Sequence, residues 1–360
     1  MLRPFLFVGV GGSGGKTLRA LKQTLQRRLR QNDWEKGIPQ AWQFLQVDTA
    51  YDGVAFPAPM LPLDEFVGLV GPGQTYQSMI ANLETKLNGP SLQQSALAGW
   101  CFPSSAVPIS TGAGMIRTIG RTVSASGLAN LRVALDTAVR RMQAPGAEGE
   151  LNELSARLHK GSGGKSKDPV VIVVSSIAGG SGAGMLLDVT ETIKSLDSQS
   201  RWLQSPQAFL YTPEVFDSIP PALRAQIPMN ALGAMAEIMA GNWADSPSEG
   251  SEALFTSQGV KVQRSGQKPA VGPNATYLIG SRNSNGVNLA EGREGQGMDE
   301  VFMAVGEALT GLVTNERISD DFDAYFLTNV FVASGNPAIV VDHSGLTRPG
   351  DDKERMPFGS

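Results

Sequence analysis

A glycine-rich run, AGGSGAG at residues 178–184, comes shortly after the apolar run PVVIVVS at residues 169–175. This order predicts a buried strand that ends in a loop with almost no side chains. Glycines can adopt positive φ angles and have no Cβ, so successive backbone N–H groups can point at one anion. Residues 185–193 then carry apolar side chains at helical spacing, and a helix N-terminus also favours phosphate. The segment therefore predicts a strand, a phosphate-binding loop and a helix in succession.

Apolar strands alternate with helical segments along the rest of the chain. The predicted strands cover residues 5–10, 42–47, 170–175, 207–211 and 276–279. Alternation of this kind implies a parallel sheet covered by helices on both faces, which is an α/β fold. Ligands of such sheets bind in loops at the carboxyl ends of the strands, and the glycine runs are predicted to lie there.

A second glycine run, GVGGSGGKT at residues 9–17, follows the first predicted strand and precedes a helix predicted from Thr17 to about Arg30. The G-x-G-x-x-G spacing that begins at Gly9 fits dinucleotide-binding proteins, but no acidic residue closes a second strand about 20 residues on. The run also ends like a Walker A loop, although Val10 replaces its first glycine. Neither motif predicts the run at 178–184. A dinucleotide oxidoreductase stays an alternative, and it would carry bound nicotinamide or flavin.

Two further segments follow a fixed order. Residues 112–114 read GAG, and Gly120 and Arg121 follow after five intervening residues. Near the end, residues 299–314 predict a long helix, and the acidic segment 315–323 follows it.

Together, the four segments resemble the tubulin/FtsZ superfamily in sequence and in order. The family's glycine loop has glycine where this chain has Ala178 and threonine where it has Ser181, and Lys16 stands where the family usually has asparagine. The resemblance covers roughly residues 3–326. It implies a three-layer α/β fold with a mostly parallel sheet, helices on both faces and a long central helix.

The resemblance also implies a site for GTP or GDP with Mg²⁺. Backbone and hydroxyl groups of the three glycine segments would hold the phosphates, and the segment 112–114 would respond to the γ-phosphate. Asp48 and Thr49 would lie near the magnesium, with Ala50 in place of the family's third residue, an aspartate. The residues assigned to nucleotide are Gly11, Gly12, Ser13, Gly14, Asp48, Thr49, Thr111, Gly112, Ala113, Gly114, Gly179, Gly180, Ser181, Gly182, Ala183, Gly184, Glu214, Asn283 and Asp299.

Glu214 would contact the ribose, and the base would lie between Asn283 and Asp299. A carboxylate facing the N1–H and amino group of guanine accepts two hydrogen bonds that adenine does not supply. Simpler roles stay open for both base contacts: a turn cap for Asn283 and a helix N-terminal charge for Asp299.

In this superfamily an acidic loop after the long helix acts on nucleotide held by the next subunit of a filament. Asp320, Asp321 and Asp323 lie in the corresponding segment, where carboxylates could orient the attacking water. Asp321 aligns with the family's aspartate before phenylalanine. The second family acid falls on Ala324, so Asp323 is the nearest substitute. A solvated turn is the simpler alternative.

Composition argues against several other classes of protein. The chain has 360 residues, 41% of them hydrophobic, and a net charge of −4, which leaves no electrostatic footprint for nucleic acid. No apolar run approaches the roughly 20 residues of a membrane span, so a cytoplasmic location is expected. The one cysteine, Cys101, is expected to pack beside apolar neighbours. His159 and His343 are too few for a histidine-based zinc site or catalytic triad.

The predicted organisation is a GTP-binding domain at 1–297, a central helix with its acidic loop at 298–325, and a short remnant at 326–360. Insertions or mobile loops, where protein partners could bind, are expected near 56–105, 144–168 and 245–274. The family's second domain is expected to be missing. The chain is therefore expected to be a divergent bacterial-type GTPase that self-assembles into filaments. The alternative is a nucleotide-bound structural or regulatory module with little or no hydrolysis, or a fragment that assembles with partners.

Overall fold

The computed structural model describes residues 2–50, 61–86, 109, 112–159, 167–243, 254–260, 271–291 and 297–326. Its strands are β1 (Phe5–Val10), β2 (Trp42–Asp48), β3 (Phe66–Gly68), β4 (Val170–Ser176), β5 (Gln207–Tyr211) and β6 (Ala275–Ile279). Its helices are α1 (Gly11–Arg30), α2 (Tyr76–Lys86), α3 (Arg117–Met142), α4 (Ala147–His159), α5 (Gly180–Lys194), α6 (Pro221–Arg224), α7 (Ile227–Trp243), a single turn α8 at residues 254–257, α9 (Gly297–Thr314) and α10 (Glu316–Phe326). Two 3-10 turns cover Leu63–Glu65 and Pro213–Phe216.

The six strands form one parallel sheet in the order β3-β2-β1-β4-β5-β6. Phe5 at the start of β1 lies beside Trp42 of β2 and Val170 of β4. All residues of β1 and β4 are buried, as expected for strands with helices on both faces.

Alternate side chains of β1 serve two separate cores. Leu6 and Val8 pack with buried residues of α3 and α5 on one face of the sheet. Phe5 and Phe7 pack with α1 and α9 on the other. Helix α9 lies against α1 so closely that a Cβ on Gly306 would be 2.8 Å from the backbone nitrogen of Leu21. The three layers and the parallel sheet confirm the predicted fold class.

The structure differs from the prediction in three segments expected to be loops. Strand β3 and helix α2 lie inside the predicted 56–105 loop, and α4 occupies much of 144–168. The acidic segment is also helical, as α10, rather than a loop. Its first turn is capped by Asn315, whose Oδ1 accepts the N–H of Arg317 at 3.0 Å. Packing of the aromatic Phe322 against β5 and β6 then holds the helix.

The two glycine runs also differ from the prediction. Helix α1 begins at Gly11 instead of Thr17, and α5 begins at Gly180. The glycines are needed because the first turn of α1 lies against the sheet. A Cβ on Gly9 would be 2.7 Å from the carbonyl carbon of Gly14 and 2.9 Å from a side-chain methyl of Leu18.

Within the described ranges, no helix has both the length and the hydropathy needed to cross a membrane. Thr111, Cys101, His343 and the segment 327–360, all of which carry predictions, lie outside the described residues.

Candidate functional site

A cavity of about 230 Å³ opens at the carboxyl ends of β1 and β4, between the two glycine runs. It brings together predicted residues that lie far apart in sequence. Those that line it are Gly11, Gly12, Ser13, Gly114, Gly179, Gly180, Ser181 and Gly182. The position follows from the parallel sheet, because its loops converge at one edge.

The N-termini of α1 and α5 meet at this cavity. Gly11 has a φ of +70°, and a Cβ there would be 2.9 Å from the backbone nitrogen of Gly182. Neither helix has an acidic residue in its first turn. The dipoles of the two helices therefore point toward the same space, which suits a polyanion such as a di- or triphosphate.

A third loop, residues 112–115, closes one side of the cavity. Gly112 and Gly114 have φ angles of +128° and +56°, which favour glycine. The loop contacts the glycine run directly, because the N–H of Gly180 donates to the carbonyl of Gly114 at 3.0 Å. Ala113, which lies between Gly112 and Gly114, is buried. The structure thus joins this predicted segment to the predicted phosphate site.

A cluster of oxygen atoms lies beside the glycine run. The hydroxyls of Thr49 and Ser181 are 2.9 Å apart, and Oδ1 of Asp48 accepts the N–H of Thr49 at 2.7 Å. Asp48 is only 3% exposed, and this burial raises the pKa of its carboxyl, while hydrogen bonds from Thr49, Ser181 and Gln46 oppose the rise.

These hard oxygen donors fit Mg²⁺. The ion usually takes one or two carboxylates together with phosphate oxygens and water instead of a cage made of protein alone. The described part of the chain contains no cluster of three His, Cys, Asp or Glu side chains that could hold a metal.

The other end of the cavity is apolar with one charged edge. Its walls include Met115, Phe216, Ile219, Met298 and Phe302. At its edge, Nζ of Lys16 lies 2.7 Å from Oδ1 of Asp299 and 5.6 Å from the ring centroid of Phe302. Apolar walls that surround a planar ring, with hydrogen-bonding groups at one edge, suit an aromatic base.

Most residues of this apolar end could not be predicted from the sequence. Phe302 is one helical turn after Asp299, so its position on α9 could have signalled a shared wall. Phe216 follows the predicted Glu214 by two residues. Lys16 was noted only as a departure from the family pattern, and its pairing with Asp299 is a long-range contact with no local signal.

Glu214 and Asn283 are not among the residues that line the cavity. Glu214 is exposed on its 3-10 turn, with Oε1 beside Gly280. Oδ1 of Asn283 accepts the N–H groups of Asn285 and Val287, both at 3.0 Å, so this side chain caps a turn. Their ribose and base contacts stay predictions.

The predicted catalytic acids lie at the other end of the sheet. Asp323 is held by Arg3, which precedes β1, with one hydrogen bond of 2.8 Å. Asp320 pairs with Lys167, which precedes β4, and this hydrogen bond lowers the pKa of its carboxyl. Asp321 is 75% exposed, and its Oδ2 lies 4.0 Å from Nε of Arg317.

The six residues of β1 separate these acids from the cavity. At 3.3 Å per residue this is about 20 Å, so the acids cannot reach a ligand in the cavity of their own chain.

A family model described as "Tubulin like" matches residues 6–334. Among solved structures, CetZ from Methanosaeta thermophila strain DSM 6194 is similar, with a TM-score of 0.42 and 11% identity over 92% of this chain and 61% of that chain. CetZ2 from Haloferax volcanii, described as a GTPγS-bound protofilament, has a TM-score of 0.41 and 14% identity over 91% of this chain and 63% of that chain. The chain therefore spans less than two thirds of the length of both proteins. No curated protein matches it.

Proposed function

Because this chain belongs to the tubulin-like family, we propose that it binds a guanine nucleotide between its glycine runs and hydrolyses it where two copies of the chain meet. The phosphates would lie at the N-termini of α1 and α5, and the base would lie against Phe302. The ion-paired Asp299 is the group at the base edge that can select guanine, since it can accept hydrogen bonds from N1–H and the amino group.

Asp48, Thr49 and Ser181 are the residues that would hold Mg²⁺ next to the phosphates. A bound Mg²⁺ supplies neutralisation of phosphate charge during transfer. The protein's own part is positional: the two helix N-termini hold the phosphate oxygens, and the apolar walls exclude water from the base.

The observation that carries the proposal is the separation of the acids from the cavity across the sheet. A carboxylate can orient a water only within hydrogen-bond reach, about 3 Å or one bridging water. Asp321 meets this condition only if a second copy stacks with its α10 over the cavity of the first. Head-to-tail stacking of this kind produces filaments when the rotation between copies does not close a ring.

One observation favours the second candidate, a nucleotide-bound assembly module with little hydrolysis. Arg3 and Lys167 hold Asp323 and Asp320 in close ion pairs, whereas Asp321 lies 4.0 Å from Arg317, so Asp321 is the most weakly paired of the three acids. A single carboxylate would give slower turnover than a pair.

The decisive experiment measures GTP and ATP binding and turnover side by side, at several protein concentrations, while light scattering is recorded. We expect GTP-selective turnover that rises more steeply than linearly with concentration, together with scattering. Binding of GTP without turnover or scattering would favour the assembly module, and equal binding of both nucleotides would contradict the guanine site.

Asp321→Ala tests the catalytic role. It should lower GTP turnover by at least about a hundredfold, the scale of a lost general base, and leave GTP affinity unchanged. The matched control is Asp136→Ala, since Asp136 also pairs with an arginine four residues away on an exposed helix surface. An Asp321→Ala protein with normal turnover would remove Asp321 from the mechanism.

A further inference from the structure

Helix α7 contributes a side chain that joins two of the loops around the cavity. Asn230 is 7% exposed. Its Nδ2 donates to the carbonyl of Met115 at 2.8 Å and to the carbonyl of Ala178 at 3.0 Å. Met115 ends the loop 112–115, and Ala178 begins the glycine run 178–184. One buried amide therefore bridges the two segments, and both of its N–H donors are used.

A second contact from α7 reaches the glycine run through the start of α3. Glu237 pairs with Arg117, the first residue of α3, and Nε of Arg117 donates to the carbonyl of Ala183 at 3.4 Å. Asn230 and Glu237 are seven residues apart, so they lie on one face of α7. That face thus contacts the loop 112–115, the start of α3 and the glycine run together.

The loop 112–115 has limited support of its own. Gly112 and Gly114 have positive φ angles, and they lack side chains that could anchor the loop. A backbone hydrogen bond, from the N–H of Gly180 to the carbonyl of Gly114, joins the loop to the glycine run. Besides this bond and the close packing of α3 on α5, side chains of neighbouring elements hold the two segments together, and Asn230 reaches both.

We propose that Asn230 is a positioning residue that fixes the loop 112–115 against the glycine run, so that the cradle fits a triphosphate better than a diphosphate. The inference rests on the proposed function for the identity of the ligand. Asn230 would not touch the nucleotide. It would act through the carbonyls of Met115 and Ala178, since Met115 itself and Gly179, which follows Ala178, lie in the cavity wall.

The test compares Asn230→Ala with Gln204→Ala. Gln204 is a matched control, because its amide also donates to two backbone carbonyls, of Lys194 at 2.6 Å and Asp197 at 2.9 Å, and it does not line the cavity. The measured quantity is the ratio of the affinity for GTPγS to that for GDP. We expect this ratio to fall about tenfold in Asn230→Ala. Each lost hydrogen bond lowers the equilibrium constant for holding the two segments together several-fold. It should be unchanged in Gln204→Ala.

Hydrogen exchange of the nucleotide-free protein provides a second readout. Exchange in peptides that cover residues 112–116 and 178–184 should quicken about tenfold in Asn230→Ala and stay at the wild-type rate in Gln204→Ala. If Asn230→Ala does not fold, Asn230→Ser keeps one hydroxyl donor and should give an intermediate fall in the affinity ratio.

The outcomes separate this inference from the proposed function. If the wild-type chain binds neither GTPγS nor GDP, the proposed function fails, and exchange alone then decides whether Asn230 joins the two segments. Wild-type exchange rates together with a wild-type affinity ratio in the Asn230 variants would overturn the inference. Equal changes in the Asn230 and Gln204 variants would overturn it too, because they would indicate a general loss of stability.

Discussion

Asp299 is a single residue that is paired with Lys16, a residue of the cavity wall, and we propose that it contacts the base. We expect Asp299→Ala to reduce the preference for GTP over ATP at least about tenfold, because two hydrogen bonds to the guanine edge are lost. Competition binding with both nucleotides measures this preference. Glu300→Ala is the matched control, since Glu300 is the exposed acid next along α9. An unaltered preference in Asp299→Ala would favour its simpler role as a helix N-terminal charge.

The burial of Asp48 is expected to lower the stability of the folded protein at neutral pH. Burial raises the pKa of this carboxyl in the folded protein, so the folded state holds the proton to a higher pH than the unfolded state does. Stability is therefore lost as the pH rises from the usual aspartate pKa of about 3.9 through the raised value. We expect Asp48→Asn to be more heat-stable than the wild type at neutral pH, with the difference shrinking toward about pH 4.

Thermal melts of Asp48→Asn and wild type between about pH 4 and pH 8 would measure this, with Asp136→Asn as the control at an exposed aspartate. The same variant should bind Mg²⁺-nucleotide more weakly, because a carboxylate donor is gone. A variant that is less stable than the wild type at every pH would show that the hydrogen bonds of Asp48 outweigh its burial.

The residues that could be predicted from sequence are those whose type and neighbours in the chain indicate a function by themselves. Glycine runs after apolar strands indicate a phosphate site without any knowledge of distant contacts. The sequence around Asn230 contains no such signal. Its partners lie 115 and 52 residues away, and an asparagine inside a helical segment is ordinary. Lys16 and Asp299 were both singled out, but their pairing across 283 residues became visible only in the folded chain.

At the scale of elements, the contact between α3 and α5 sets how the loop 112–115 meets the glycine run. Gly120 of α3 faces the carbonyl of Gly180, and a Cβ at Gly120 would be 3.1 Å from the Cα of Ser181 and closer still to that carbonyl. We expect Gly120→Ala to force the helices apart and to lower stability by about 1–3 kcal/mol, the usual range for overpacking. Nucleotide affinity should fall with it.

Gly149→Ala is the matched control for Gly120→Ala. Gly149 is also helical, in α4, but a Cβ there would meet nothing within 4 Å. Alanine should therefore raise stability by about 0.5–1 kcal/mol through helix propensity. Denaturant unfolding of the two variants compares them directly. Similar effects of both changes would mean that the close approach of α3 and α5 is not a constraint.

The elements predicted well were those with a long apolar run. Five strands were located to within one residue, because each coincides with an apolar run in the sequence. Strand β3 was missed because it has only three residues and carries no pattern. Helix α10 was read as a loop because its serine and aspartates favour turns. Its aromatic contacts, with Phe322 at 5.7 Å from Tyr277 and 6.3 Å from Phe209, override that local preference.

At the scale of the whole molecule, the two ends of the sheet have different parts of one proposed active site. Two defective variants should therefore restore each other. Asp321→Ala keeps the cavity but lacks the acid. Gly179→Asp should fold, since a Cβ at Gly179 meets nothing within 4 Å and aspartate is a favoured helix N-cap. Its carboxylate would, however, repel phosphate from the cavity.

We expect each of these variants to be inactive alone and an equimolar mixture to hydrolyse GTP. The nucleotide held by Asp321→Ala would then meet the intact acid of Gly179→Asp. Turnover by the mixture, relative to each protein at the same total concentration, is the measurement. If the two proteins co-sediment but the mixture stays inactive, the site is not shared between copies.

The ion pair between Arg3 and Asp323 also has a practical consequence for handling the protein. It fixes the chain just before β1 beside α10, so any purification tag or fluorescent protein fused ahead of residue 2 would emerge at the face that carries Asp321. Such a fusion would stand where a neighbouring copy is expected to approach. Comparing the assembly of the tagged protein with that of the tag-free protein by microscopy would indicate how much of any observed assembly the tag itself prevents.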